Sequence, residues 1–169
     1  YGAAFAADEK DVKNNIFNIY QSGLTLGQKD YYLNNDSATV AIRKAYKDYV
    51  GQMFRLYGFS AQEAQQRAQE LFRQETLVAL ISKSMTELRD PQANYNKMTL
   101  AELRADYPHI PIEQWANAEG IDSKYLQHVV VGQTAFMAGL DKLMALQTVD
   151  ELKALMEWDV ITSSASYLT

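Results

Sequence analysis

The chain contains no cysteine. That absence removes disulfide frameworks, thiolate zinc sites and cysteine nucleophiles together, and it fits the cytosol and the bacterial periplasm alike. Histidine is nearly absent, with only His109 and His128. Proline is scarce, three residues in all, so long stretches run without a helix breaker. No run of about 18 apolar residues exists, so nothing here is suited to span a membrane as a helix, and no secretory signal peptide is visible. A basic stripe is missing too. Sixteen Lys and Arg stand against 21 Asp and Glu, giving a formal net charge of −5, which speaks against a nucleic-acid partner. The mild acidic excess bears on solubility more than on a partner.

What remains is apolar enough to fold: 47 % of the 169 residues are hydrophobic. A chain of this length and composition predicts one globular domain with its own core, over residues 1–169. It opens at "YGAAFAADEK", without Met and already in mid-pattern, as a piece of something longer would.

The fold class predicted is mainly α: an antiparallel helical domain with two long helices, several shorter ones and a small β-hairpin near the N-terminus. Residues 1–21 read as that hairpin. "IFNIYQ", Ile16–Gln21, is rich in β-branched and aromatic residues, and "DEKDVKNN" is a charged turn region. An irregular connection follows. Asp36 or Ser37 then caps a helix running to about Tyr57, where Gly58 ends it. Val40, Ala41, Ala45, Tyr49, Met53 and Leu56 fall near helical spacing, and Tyr46, Tyr49 and Tyr57 are expected to pack with their polar tips accommodated. Ser60 and Glu63 form a capping box for a second helix, expected to continue unbroken to Leu88. Ala64, Ala68, Leu71, Phe72, Glu75, Val78, Ala79 and Ser82 trace its buried face. Thr99 and Glu102 start a short helix to about Asp106. Pro111 suits the first turn of another, ending near Gly120. "HVVVGQ" reads as a strand. Gln133–Leu146 and the stretch after the Thr148–Glu151 box are helical.

No self-contained catalytic set emerges. A zinc-hydrolase helix needs His-Glu-x-x-His, because residues four apart share a face, and the motif is absent. His109 and Glu113 have the spacing, but Pro111 between them disturbs a helix covering both. His128 abuts a strand and reads as a packing or hydrogen-bonding residue. There is no Gly-x-Ser-x-Gly elbow, phosphate loop or dinucleotide fingerprint. Glu70, Glu75 and Glu87 read as a solvated face with scattered buried partners. Asn35-Asp36-Ser37 fits the glycosylation sequon, a pattern too short to mean much alone. The most chemically loaded connection is "RDPQANYNKMTLAEL", Arg89–Leu103. It reads as a structural clasp. Pro91 disfavours helix at Asp90, and Arg89 and Asp90 are placed to tie off backbone groups. Asn94 and Asn96 suit a turn, and Tyr95 and Met98 bury apolar surface.

Several stretches together carry a resemblance: Asp11–Asn14 "DVKN", Gln21–Leu33 "QSGLTLGQKDYYL", Arg89-Asp90-Pro91, Tyr95–Leu103 "YNKMTLAEL" and Leu152–Trp158 "LKALMEW". In this order and spacing the whole chain resembles the amino-terminal region of the neprilysin family of zinc metalloendopeptidases, which includes the endothelin-converting enzymes and bacterial endopeptidase O. It departs from the family pattern at Gly27, where Pro is common, and at Lys29, where Arg is common.

The resemblance implies a capping helical lobe of a two-lobed peptidase. Such a lobe covers an internal cavity, limits entry to peptides of modest size, and carries none of the zinc ligands or the catalytic Glu. It implies zinc in the parent enzyme and none in this fragment, so no catalytic, metal or cofactor-binding residue is assigned here. The implied partners are the catalytic lobe of the same polypeptide and peptide substrates. The cysteine-free composition resembles the bacterial branch, which implies a periplasmic or cell-surface setting with a targeting signal outside this chain. If the lobe is inserted in a larger enzyme, residues 1–20 and the segment after Val160 should lie on the same side. Two other readings stand beside this one: a stand-alone helical protein-interaction module without peptidase activity, and a small helical enzyme, which little in the sequence supports.

Overall fold

The structure is a computed structural model and describes residues 1–167. In chain order the elements are β1 (Gly2–Asp8), β2 (Asp11–Tyr20), α1 (Asp30–Leu33), α2 (Ser37–Tyr57), α3 (Ala61–Ile81), β3 (Asn96–Thr99), α4 (Leu100–Asp106), α5 (Ile112–Ala118), β4 (His128–Val131), α6 (Thr134–Leu146) and α7 (Val149–Ser164). Short 3-10 turns occupy Glu87–Arg89, Ser123–Leu126 and Ala165–Tyr167. The chain is mainly helical, with one small four-stranded sheet. Leu168 and Thr169, which the expected pairing of chain ends includes, lie outside the described residues.

Two compact units divide the chain. The first joins Tyr1–Gly23 to Ile81–Leu146. Its sheet has the order β1-β2-β4-β3. β1 and β2 form the antiparallel hairpin that the sequence predicts, with Phe5 opposite Phe17 and an irregularity at Ala7/Asp8. The hairpin is not isolated, because β4 runs parallel to β2 over Phe17–Ile19 and β3 closes the far edge of β4. One sheet face is apolar: Phe17, Ile19, Val129 and Val131 are all 1 % exposed or less. Alternation along a strand puts these four on the same side, and Leu103, Leu126, Phe136 and Met137 are among the other residues buried in this unit.

The second unit joins Leu24–Leu80 to the chain from Gln147 on. Asp36 caps α2 by accepting the Thr39 N–H at 2.9 Å, and Gly58 at φ 116° closes it. Ser60 and Glu63 exchange the two capping-box hydrogen bonds at the head of α3. The core gathers Tyr46, Val50 and Phe54 from α2, Ala64, Ala68 and Leu71 from α3, and Trp158 and Ile161 from α7.

Some expectations need correction. α3 stops at Ile81 instead of reaching Leu88. A second Ser-x-x-Glu box takes over there: the Glu87 carboxylate accepts the Ser84 N–H at 2.7 Å and starts the short 3-10 turn. Pro91 does not end α3, which has closed ten residues earlier, but Asp90 before it is extended and ends the 3-10 turn. On α2 the buried stripe is Thr39, Tyr46, Val50 and Phe54, while Val40, Tyr49, Leu56 and Tyr57 are exposed. The 21–37 connection is also not wholly irregular, since α1 lies within it. Gly27, where the resemblance leads one to expect Pro, has φ +84°. Proline is locked near −65°, so the turn before α1 has a shape that proline could not take.

Candidate functional site

In the first unit the 89–103 connection is a polar clasp on the sheet. Asp90 Oδ1 accepts the N–H groups of Gln92 and Ala93 at 3.0 and 3.1 Å, the local turn chemistry of a short carboxylate. Asn94 donates to the Leu88 carbonyl at 2.7 Å, and Asn96 donates to the Val131 carbonyl at 2.9 Å, stitching β3 to β4. Tyr95 and Met98 are half-buried, while Arg89 is exposed and leaves the tie-off to Asp90 and Asn94.

A relay of side-chain amides extends the clasp. Gln133 donates to Asn94 Oδ1 at 3.1 Å and accepts the Gln21 N–H at 2.8 Å. Gln21 in turn pairs with both backbone groups of Lys83, at 2.8 and 3.0 Å. It fixes the chain just after α3.

The clasp ends on Asp8, which is 2 % exposed. Its carboxylate accepts from Lys97 Nζ at 2.8 Å, Tyr95 Oη at 2.7 Å and the Lys10 N–H at 3.0 Å. These donors, Lys97 foremost, hold the Asp8 carboxyl well below the usual carboxylate range. The reciprocal bond to Asp8 raises the Tyr95 phenol to about 12. Lys10 Nζ lies 4.2 Å from the Tyr95 ring centroid, a cation–π contact.

The second unit has a buried carboxylate of its own. Glu75, 2 % exposed, accepts from Tyr46 Oη at 2.7 Å, Tyr32 Oη at 3.0 Å, and the Thr25 hydroxyl and N–H. The Thr25 hydroxyl accepts from Trp158 Nε1 at 3.1 Å. Burial, and after it the Glu75 charge, pushes both phenols well above their ordinary value. Every oxygen of this carboxylate is engaged by protein donors, an arrangement suited to fixing the Thr25 loop and not to proton transfer with a substrate.

The remaining candidates disperse. His109 Nδ1 meets Asp141 Oδ2 at 2.9 Å, and the His109 N–H donates to Asp141 Oδ1 at 2.7 Å. Glu113 pairs with Arg104, so His109 and Glu113 share no ligand position. His128 is the exposed first residue of β4. Of the three glutamates, Glu70 bonds Arg73 and Gln74, Glu75 is the buried hub, and Glu87 lies off α3 altogether. Asn35 is exposed and accepts from Arg43 at 3.1 Å. Among the described residues no group of three or more His, Asp or Glu side chains could hold a metal ion. A concavity of about 830 Å³ in the first unit opens beside the N-terminal half of β2. The sequence reading missed this notch, the amide relay and β3. The Ser84–Glu87 box was readable from the same spacing that marked the other three.

Comparison with known proteins gives these features a context. The model of peptidase family M13 matches residues 1–169. Human endothelin-converting enzyme 1 is 28 % identical over 168 residues, covering 96 % of this chain and 21 % of that protein. Endothelin-converting enzyme-like 1 of Rattus norvegicus is 33 % identical over 117 residues, 68 % of this chain and 14 % of that protein. Among solved structures, Mycobacterium tuberculosis zinc metalloprotease Zmp1 in complex with inhibitor superposes with a TM-score of 0.93 at 27 % identity, over 99 % of this chain and 25 % of that one. PepO from Lactobacillus rhamnosis, at 20 % identity and TM-score 0.82, shares the fold over 99 % of this chain and 26 % of its own. The chain thus spans about a seventh of one relative and a fifth to a quarter of the others. It belongs to peptidase family M13, as the amino-terminal region of a neprilysin-family member.

Proposed function

We propose that residues 1–169 form the non-catalytic N-terminal lobe of a zinc-dependent metalloendopeptidase and limit substrate access to its catalytic cavity. The observation that carries this reading is the fit of 99 % of the chain onto one quarter of an inhibitor-bound zinc metalloprotease. The carboxylates at the centre of each unit, Asp8 and Glu75, are spent on protein donors, as befits a scaffold. Among the described residues zinc fits no residue set, so its chemistry, polarising a scissile carbonyl and activating water, is assigned to the rest of the parent polypeptide. This lobe contributes by size exclusion and by keeping bulk water from the reacting bond. We read α2 and α3 as an antiparallel pair, supported by the short Gly58–Ser60 turn and the shared core of Phe54 and Ala64. The parent is assigned to a periplasmic or cell-surface location in a bacterium, with the catalytic lobe as this lobe's partner.

The test is a length series of peptides presented to the full-length parent, with metal analysis of parent and fragment. Cleavage of short peptides, sparing of folded proteins, and zinc in the parent alone are expected. One tightly bound zinc per isolated 1–169 chain, or a parent reading frame without His-Glu-x-x-His, overturns the assignment.

A further inference from the structure

The hairpin of the first unit overshoots the rest of its sheet. β2 spans ten residues, yet β4 pairs with only Phe17, Asn18 and Ile19. The N-terminal half of β2 therefore has β1 on one side and, among the described residues, no strand on the other. The Ile19 carbonyl accepts the Gly132 N–H at 2.8 Å, so the backbone groups of Ile19 face the β4 side. Strand alternation turns Phe17 and then Asn15 the same way. Val129 is opposite Phe17 on that side, but there, among the described residues, no strand lies opposite Asn15, whose sheet partner is Ala7 of β1. The chain before β4 curls away as the Ser123–Leu126 turn, and the 830 Å³ notch fills the gap.

The walls of the notch have a definite character. Phe5 and Tyr125 make an aromatic side, ring centroids 5.9 Å apart in an edge-on contact. Three carboxylates line it, Asp8, Asp11 and Asp122. Its two lysines are already committed, Lys97 to Asp8 at 2.8 Å and Lys124 to Asp122 at 3.1 Å. Asp11 holds the Asn14 amide at 2.7 Å and, among the described residues, forms no ion pair within 4 Å. An uncompensated carboxylate, an aromatic wall and an unused strand edge favour one kind of guest.

We propose that the notch docks an extended peptide segment carrying a basic side chain, which adds as a short strand against the Asn15 edge of β2. Main-chain hydrogen bonds supply the attachment, as in other strand-addition sites, and alternate side chains meet the aromatic wall and Asp11. The reading does not need the parent to be a peptidase, so it stands or falls apart from the function proposed above.

The experiment is fluorescence anisotropy of the full-length parent with a fluorescein-labelled pentapeptide of alternating valine and arginine, read before any turnover. Saturable binding is expected. Asp11→Lys, at the exposed first residue of β2, should weaken it about tenfold or more, and a probe with glutamine for arginine should lose a similar factor. Asn15→Pro should also weaken it about tenfold, because it removes a donor from the notch side while sparing the β1 pairing. Asp11→Lys keeps the test open if the proline variant does not fold. Absence of binding, which a parent filling the notch with its own chain would give, overturns the proposal. So does binding that ignores Asp11→Lys or the loss of arginine, since the probe then sits elsewhere.

Discussion

Asp8 is buried, yet it is held ionised by an ammonium, a phenol and a backbone amide. A carboxyl with a depressed folded pKa adds stability above its unfolded pKa and loses it as the pH falls through the folded value. The first unit should therefore keep full stability above the ordinary carboxylate value of 3.8 and weaken progressively below it. Tyr95 works in the opposite sense. Its pKa is raised from 10.0 to about 12, so its contribution is complete below 10 and fades as the pH climbs through 12. Melting curves against pH should show both losses, and Asp8→Asn should remove both Asp8-dependent slopes. Tyr95→Phe should lower Tm in the native background and much less in Asp8→Asn, because the two residues share one bond. Glu75 carries a larger penalty. Glu75→Ala strands two phenols, a hydroxyl and an amide in the core of the second unit, and should cost about 3–5 kcal/mol by chemical denaturation. Gly139 is a matter of space: a Cβ there would sit 2.8 Å from Ile81 Cγ2. Gly139→Ala should cost about 1–3 kcal/mol, as overpacking does.

Helix ends were the most legible elements. The pairs Ser60–Glu63, Thr99–Glu102 and Thr148–Glu151 each place a hydroxyl and a carboxylate three residues apart, and each closes as a reciprocal box. Thr148→Ala should lower stability by about 1 kcal/mol in denaturant titrations, with the effect confined to the start of α7 in hydrogen exchange. The buried face of α3 was legible as well, since Ala64, Ala68, Leu71, Glu75 and Ala79 follow a helical period. α2 was not, because it carries two apolar stripes. Tyr49 and Leu56 lie on one, Val50 and Phe54 on the other, and contacts with α3 and α7 decide which is buried. β3 left little trace, since "NKMT" lacks β-branched enrichment beyond one Thr and is a strand through the open edge of β4. The amide relay was out of reach for another reason. Gln21 meets Lys83 and Gln133 across 62 and 112 positions of sequence, and no local pattern encodes such pairs. The clasp reading of Arg89–Leu103 anticipated the turn roles of Asp90 and Asn94, but not the hydrogen bond from Tyr95 to Asp8.

At the scale of the molecule, each unit is assembled from two separated pieces of chain. A peptide of residues 24–80 keeps α2 and α3 but lacks Trp158 and Ile161, which complete their core. It should show weak, non-cooperative helicity by circular dichroism, and residues 147–167 added in trans should restore a cooperative melt. A sharp transition in 24–80 alone would show that α7 is dispensable. The parallel pairing of β2 with β4 sets a different demand. Phe17 and Ile19 leave the ribosome roughly a hundred residues before Val129 and Val131, a delay on the order of 5–20 seconds at ordinary elongation rates. During that interval the nascent hairpin shows its apolar face to the surroundings. A chaperone that holds unfolded chains should therefore crosslink to Phe17 in ribosome-bound chains stalled before β4 and release it once β4 has emerged.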